Sequence, residues 1–212
     1  MFLLHCNSYA RVALSPKMKL RMPMPHESHP AATIRRLWPT DMDAYRAHLK
    51  RLDPDSRHAR FAGGVSDAYI DTYVDSSLRM DTLLYGAFHD GLMIGAGELR
   101  LLFGAWPPMA EAAFSVEHEW QDHGVGDALM ARVVAAARNR GITRVAMLCL
   151  RQNERMRHLA LKHHAAFATA DGETEAQLPA ASATPATFVE EAFGEAGGLF
   201  HHMLDWTRPK VA

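Results

Sequence analysis

Between Asp127 and Arg140 the apolar residues fall on one broad side of a helical projection at roughly 100° per residue, with Asp127, Arg132, Arg138 and Asn139 grouped on the other. No glycine or proline interrupts the run, alanine and leucine favour the helix, and Arg138 and Arg140 precede Gly141, a natural stop. The pattern predicts an amphipathic helix laid on a sheet. Just upstream, the apolar Phe114-Ser115-Val116 gives way to a polar turn whose two glycines, Gly124 and Gly126, are one residue apart. Strand, glycine turn and helix start therefore follow one another without a break.

The rest of the chain alternates in the same way. β-Branched content predicts a strand over 32–38; Thr40 suits an N-cap, and Asp41 and Asp43 the first turn of a helix reaching Leu52. Asp53 can cap a further basic helical stretch, and Ser66 a short helix over 66–74. Apolar runs at 83–88 and 92–103 flank His89-Asp90-Gly91, and an Asp-Gly pair in that setting marks a hairpin. Strands are expected at 111–116, 144–150 and 166–170, with a helix over 153–163. Segment 180–198 reads as a loop with a short helix at 188–193, and 199–206 as a closing strand. There are no internal repeats.

Composition narrows the class. At 212 residues, 48% hydrophobic and 22% charged, the chain suits one globular domain, expected over 31–208 behind a poorly ordered extension at 1–30. Met1-Phe2-Leu3-Leu4 is too short for a signal-peptide core, and no run reaches the ~20 apolar residues of a spanning helix. A formal net charge of −1 gives no general attraction for nucleic acid or anionic membrane, so neither is expected as a partner. Cys6 and Cys149 are far apart, and Cys149 sits in an apolar run, which favours a buried free thiol and a reducing cytoplasm. No close cysteine–histidine spacing supports a metal site, and His201-His202 on a strand would face opposite ways, so no metal is expected.

The turn before the helix has anion-binding chemistry, because the first N–H groups of a helix lack intrahelical partners and sit at the positive end of its dipole. On loop composition alone an ordinary strand–turn–helix remains open. A dinucleotide fingerprint fails at Leu129, and a P-loop fails at Asp127-Ala128. Val116 followed by Gln121-Asp122-His123-Gly124-Val125-Gly126 does resemble motif A of the GNAT N-acetyltransferase family, Gln/Arg-x-x-Gly-x-Gly/Ala behind a strand-closing valine. A second stretch, Leu52-Asp53-Pro54-Asp55-Ser56-Arg57-His58-Ala59-Arg60-Phe61, is similar to the Leu-Ser-Pro-Glu-Ser-Arg-x-x-Arg-Phe of many bacterial members.

The resemblance, strongest from Glu111 to Asn153, implies an α/β fold: a mixed, mostly antiparallel sheet with helices on both faces, splayed beside motif A to admit acetyl-CoA. Phe114 and Val116 would then offer backbone groups to the pantetheine amides. Gln121, Asp122, His123, Gly124, Val125 and Gly126 would hold the pyrophosphate, Asp127 would open the helix, and Asn153 would start a second cofactor-contacting helix. Phe114 and Val116 equally suit any core strand, and Asn153 any N-cap.

Acetyl transfer to an amine requires that the amine lose a proton, and a lysine-like ammonium holds its own to a pKa of about 10.4. Glu111, at the start of its strand, stands where many members carry a glutamate base, and Glu98 is the second candidate. The chain departs from the family at Ala160, where many members have a tyrosine that returns a proton to the leaving thiolate, and at His164-Ala165 in place of Gly-Phe. His163 or His164 could replace that acid, although neighbours on a helix point to different sides. The resemblance thus implies acetyl transfer from acetyl-CoA to a primary amine of a small molecule or protein by direct attack. The alternative it leaves is a non-catalytic acyl-CoA-binding or regulatory module; a homodimer stays open.

Overall fold

A computed structural model describes residues 32–150, 152–170 and 173–179, together with Phe188, Val189 and Glu191. The chain opens with β1 (Thr33–Arg36), a 3-10 turn at Pro39–Asp41, and three helices, α1 (Met42–Arg51), α2 (Pro54–Phe61) and α3 (Asp67–Ser77). The strands β2 (Thr82–His89), β3 (Leu92–Leu102) and β4 (Met109–Val116) lead into α4 (Val125–Asn139). After it come β5 (Arg144–Cys149), α5 (Glu154–Lys162), β6 (Ala166–Ala170) and β7 (Glu173–Pro179).

The strands form one sheet in the order β1-β2-β3-β4-β5-β7-β6, antiparallel throughout except for the parallel pair β4/β5. Asp90 and Gly91, at φ 48° and 78°, make the tight turn between β2 and β3 that their pairing predicts. On one face α4 buries Leu129, Met130 and Val133 against Tyr85, Ile94, Leu99 and Phe114. On the other, Tyr45 and Leu49 of α1 and Ile70 and Val74 of α3 cover Leu84, Phe88, Met93 and Ala96. The fold is therefore a mixed, mostly antiparallel sheet with helices on both faces. Asp53 and Ser66 cap α2 and α3 as their residue types predict, accepting from Asp55 and Ser56, and from Tyr69, respectively.

Three local details differ from the pattern. Thr40 does not cap α1; Asp41 instead reaches back to the Trp38 N–H at 2.8 Å and forms a buried two-point pair with Arg35. That partner lies on β1, so no local signal announces it. The helix expected from Asp127 begins two residues earlier, at Val125, which puts Gly126 inside its first turn. β7 is the unexpected strand: behind a polar Glu-Thr-Glu start it buries Ala176 and Leu178 with Gln177 half-buried between them. Cys149 is a buried free thiol. The expected extension at 1–30, Cys6 and the expected strand at 199–206 lie outside the described residues. Of the expected 188–193 helix, Phe188, Val189 and Glu191 are described and helical; Glu191 holds the end of α4 through Asn139 and Arg140.

Candidate active site

The sheet opens where its one parallel pairing runs out. β4 and β5 align only at Met109↔Arg144, Ala110↔Val145 and Glu111↔Ala146, yet β4 continues on β3 to Val116 and β5 continues on β7 to Cys149. Beyond Glu111 the two strands part. A cavity fills the gap, lined by Ala112, Ala113 and Phe114 of β4, Met147 and Leu148 of β5, and Asn153 and Met156 of α5. Ala59 and Arg60 of α2 complete its wall. Peptide groups along a strand edge need partners, and a ligand with amides of its own can pair with that edge as another strand would.

At the mouth of the gap lies the motif A loop. Gly124 is the N-cap of α4 at φ +81°, a left-handed conformation that only glycine adopts at little cost, and Asp122 before it also has positive φ, 62°. The first helical bond runs from the Ala128 N–H to the Gly124 carbonyl. The N–H groups of Val125, Gly126 and Asp127 thus precede the internal ladder and stand at the positive end of the helix. Gly126 differs: it is helical, and a Cβ there would lie 3.3 Å from Leu159 Cδ2 of α5, the movable end of a side chain.

Side chains fix this loop in advance. Gln121 donates to the Val116 carbonyl and to Ser56 Oγ, both at 3.0 Å, and accepts from Arg155 at 2.9 Å. Arg155 also pairs with Asp122 at 3.2 Å, and His123 Nδ1 lies 2.6 Å from the Gln121 carbonyl. Asp127 joins α4 to α5, its oxygens 2.8 Å from Lys162 Nζ and His163 Nε2. The hydrogen bond from Lys162 above all holds its carboxyl below the usual range. Asn153 caps α5, its Oδ1 accepting from the Met156 N–H, while the residue also lines the cavity. A left-handed glycine, open N–H groups and a rigid frame fit a diphosphate, and the adjoining cleft fits an extended amide-bearing arm.

The two glutamates share the sheet face opposite α4, since Glu98 pairs with Ala113 and Glu111 with Arg100 in adjacent antiparallel register. Glu111 lies where β4 and β5 begin to part; it is exposed and makes no hydrogen bond or ion pair among the described residues. Glu98 is committed elsewhere. Its Oε2 accepts from Arg60 at 2.7 Å and from the Tyr73 hydroxyl, and Arg60 also reaches Tyr73 at 2.7 Å and Tyr45 at 3.5 Å. Burial drives the phenols of Tyr45 and Tyr73 above their ordinary pKa, so both stay protonated. Ala160 is fully buried in the core, and His163 faces Asp127.

Sequence reading missed two groups here. The Arg60 cluster lay within a recognised motif, but its partners sit on α1, α3 and β3 and could not be paired by spacing. The other is His48, fully buried, with Nδ1 2.9 Å from Glu117 Oε1 and Nε2 2.9 Å from Ser115 Oγ. Arg51 adds a bond to Glu117 and another to the Met93 carbonyl. These contacts pin the end of β4 beneath α1. Burial lowers the pKa of His48, and that of Glu117 is also low because its bonds from His48 and Arg51 outweigh the opposing effect of burial.

Residues 39–165, more than half of the chain, match the model of the Acetyltransferase (GNAT) family. The chain belongs to that family. Over 130 residues it is 27% identical to acetyltransferase PA5475 of Pseudomonas aeruginosa, covering 59% of this chain and 70% of the relative. Among solved structures, the GNAT domain of PAT from S. lividans superposes with a TM-score of 0.61 at 22% identity, covering 70% of this chain and 90% of that one. The PaiA N-acetyltransferase of Thermoplasma acidophilum, solved with coenzyme A, gives 0.55 at 19% identity over 71% and 99%. YncA of Salmonella typhimurium, solved with acetyl-CoA, gives 0.56 at 15% over 73% and 97%. This GNAT protein is accordingly an acetyltransferase, with the sheet and the cleft its family fold requires.

Proposed function

We infer that the chain transfers acetyl from acetyl-CoA to a primary amine by direct attack, with no covalent enzyme intermediate. The observation that carries this reading is the parting of β4 and β5 beside the glycine-capped start of α4, which leaves a cleft and a β4 edge with no strand partner among the described residues. The N–H groups from Gly124 onward take the diphosphate, Arg155 and Gln121 hold the loop, and the β4 edge at Phe114 and Val116 aligns the pantetheine arm. Asn153 keeps α5 against the far wall. Together these groups fix the thioester on the Glu111 side of the sheet, so that attack becomes effectively intramolecular.

Glu111 takes the proton the amine must lose; of the two carboxylates it is the one with no competing partner among the described residues. A positioned base contributes typically ~10²–10⁴-fold. Glu111→Gln should therefore lower kcat by about that factor near pH 7, recover partly as pH rises and more amine is free, and leave acetyl-CoA affinity unchanged. A pH–rate profile that overlays the parent would remove Glu111 from the mechanism.

A second reading, an acyl-CoA-binding module without turnover, draws on Ala160, buried where a proton donor would otherwise stand. Thiol release from acetyl-CoA with a panel of amines separates the two: release that depends on amine supports transfer, and binding without any release supports the module. We further take the domain to span 31–208 and to work in the cytoplasm, in keeping with the free thiol of Cys149; no helix among the described residues is long and apolar enough to cross a membrane.

A further inference from the structure

Breaking a thioester leaves an electron pair on sulfur, and the cleft has few means of accepting it. Most side chains lining the cavity are alanine, leucine, methionine or phenylalanine, and Asn153 already spends its Oδ1 on a helix cap. None of them can give up a proton. Among the described residues, Arg60 is the one ionisable side chain on that wall, and only 6% of it is exposed. Its Nη2 is fully engaged with Glu98 and Tyr73, whereas Nε and Nη1 have no hydrogen-bond acceptor among the described residues. A guanidinium held on one side by three partners and open on the other is set to receive an anion from the cavity.

We propose that Arg60 is a catalytic residue of this enzyme, stabilising the departing sulfur as a thiolate by charge in place of a proton donor. The inference rests on the acetyltransferase reading above. The amine nitrogen forms its bond to the carbonyl carbon as the C=O pair moves onto oxygen, and the pair then returns as the C–S bond breaks. The bonding electrons leave on sulfur, which pairs with the guanidinium and takes its proton later from water. The amine's proton goes to Glu111. Arginine suits this task and no other here: burial works against its charge, but Tyr45, Tyr73 and Glu98 more than restore it, so it never becomes a proton donor in the accessible range.

The test is a titration of the CoA thiol in its complex with the protein, followed by thiolate absorbance, after calorimetry has established saturation. A cation within about 4–6 Å shifts such a group by roughly 1–3 units, so the bound thiol should titrate at least about one unit below the thiol of free CoA titrated alongside. Arg60→Gln should return it to about the free value, with affinity for the protonated thiol form of CoA changed by less than about threefold. Glu98→Gln removes the opposing carboxylate and should lower the thiol further, a direction that loss of packing would not produce. An unshifted thiol in the parent, a curve for Arg60→Gln that overlays the parent, or a rise in Glu98→Gln each overturns the proposal. Because the parent and Glu98→Gln give answers of their own, the test survives if Arg60→Gln does not fold. Failure of the parent to bind CoA overturns the acetyltransferase reading together with this one, whereas binding with an unshifted thiol overturns this one alone.

Discussion

The two glycines of the motif A loop look alike in the sequence and do different work. Gly124 is required by its backbone, since φ +81° costs a side-chain-bearing residue roughly 1–2 kcal/mol. Gly126 is helical, and an added Cβ would meet the flexible tip of Leu159 at 3.3 Å and Val116 at an ordinary 3.9 Å. Gly124→Ala should accordingly lose about 1 kcal/mol of stability and weaken acetyl-CoA binding. Gly126→Ala should be neutral or stabilising by up to about 1 kcal/mol, because alanine favours helix. Urea denaturation with calorimetry of each variant checks both; equal destabilisation of the two would contradict the distinction. The spacing of these glycines was legible, but whether a glycine supplies a dihedral angle or makes room depends on the residue packed against it. Here that residue belongs to another helix. His48 gave no signal at all, because Ser115 and Glu117 reach it only after the chain has folded.

Helix α5 closes with a turn that its residue types do not announce. It ends at Lys162, and beyond the His163 cap His164 adopts φ 63° while the His164 N–H bonds to the Leu161 carbonyl and the Ala165 N–H to that of Ala160. That is a left-handed C-cap, which elsewhere falls to glycine. The position is exposed, so no packing forces histidine there. His164→Gly should stabilise the protein by about 0.5–1 kcal/mol, read as a higher midpoint in urea at unchanged slope, and an unchanged or lower midpoint would count against a strained cap. Element existence and order were largely readable from apolar periodicity and caps. The ends were not: α4 starts two residues early because Gly124, not Asp127, turns the chain, and β7 escaped notice because strands that alternate weakly leave little pattern.

At the scale of the whole molecule, acid sensitivity begins with the histidine buried in α1. His48 is neutral in the fold with its pKa below the ordinary 6.5, so the unfolded chain takes up a proton that the native one refuses. Stability is full above pH 6.5 and falls as pH drops from there through the lowered value. Glu117 and Asp127, also held low, add a further loss beneath the usual carboxylate range. For His48 the slope cannot exceed about 1.4 kcal/mol per pH unit. Urea midpoints at pH 7.5 and 5.5 should diverge in the parent and converge in His48→Gln; an equal drop in both would exonerate the histidine. The seam between β4 and β5 carries a last consequence. With three aligned residue pairs across it, the backbone network of the sheet is nearly two ladders, β1 to β4 and β5 to β6, joined mainly by side-chain packing under α4. Native-state hydrogen exchange without ligand should then resolve two opening units, the β5–β7 amides exchanging at lower free energy, and a bound molecule that pairs with both edges should merge them into one.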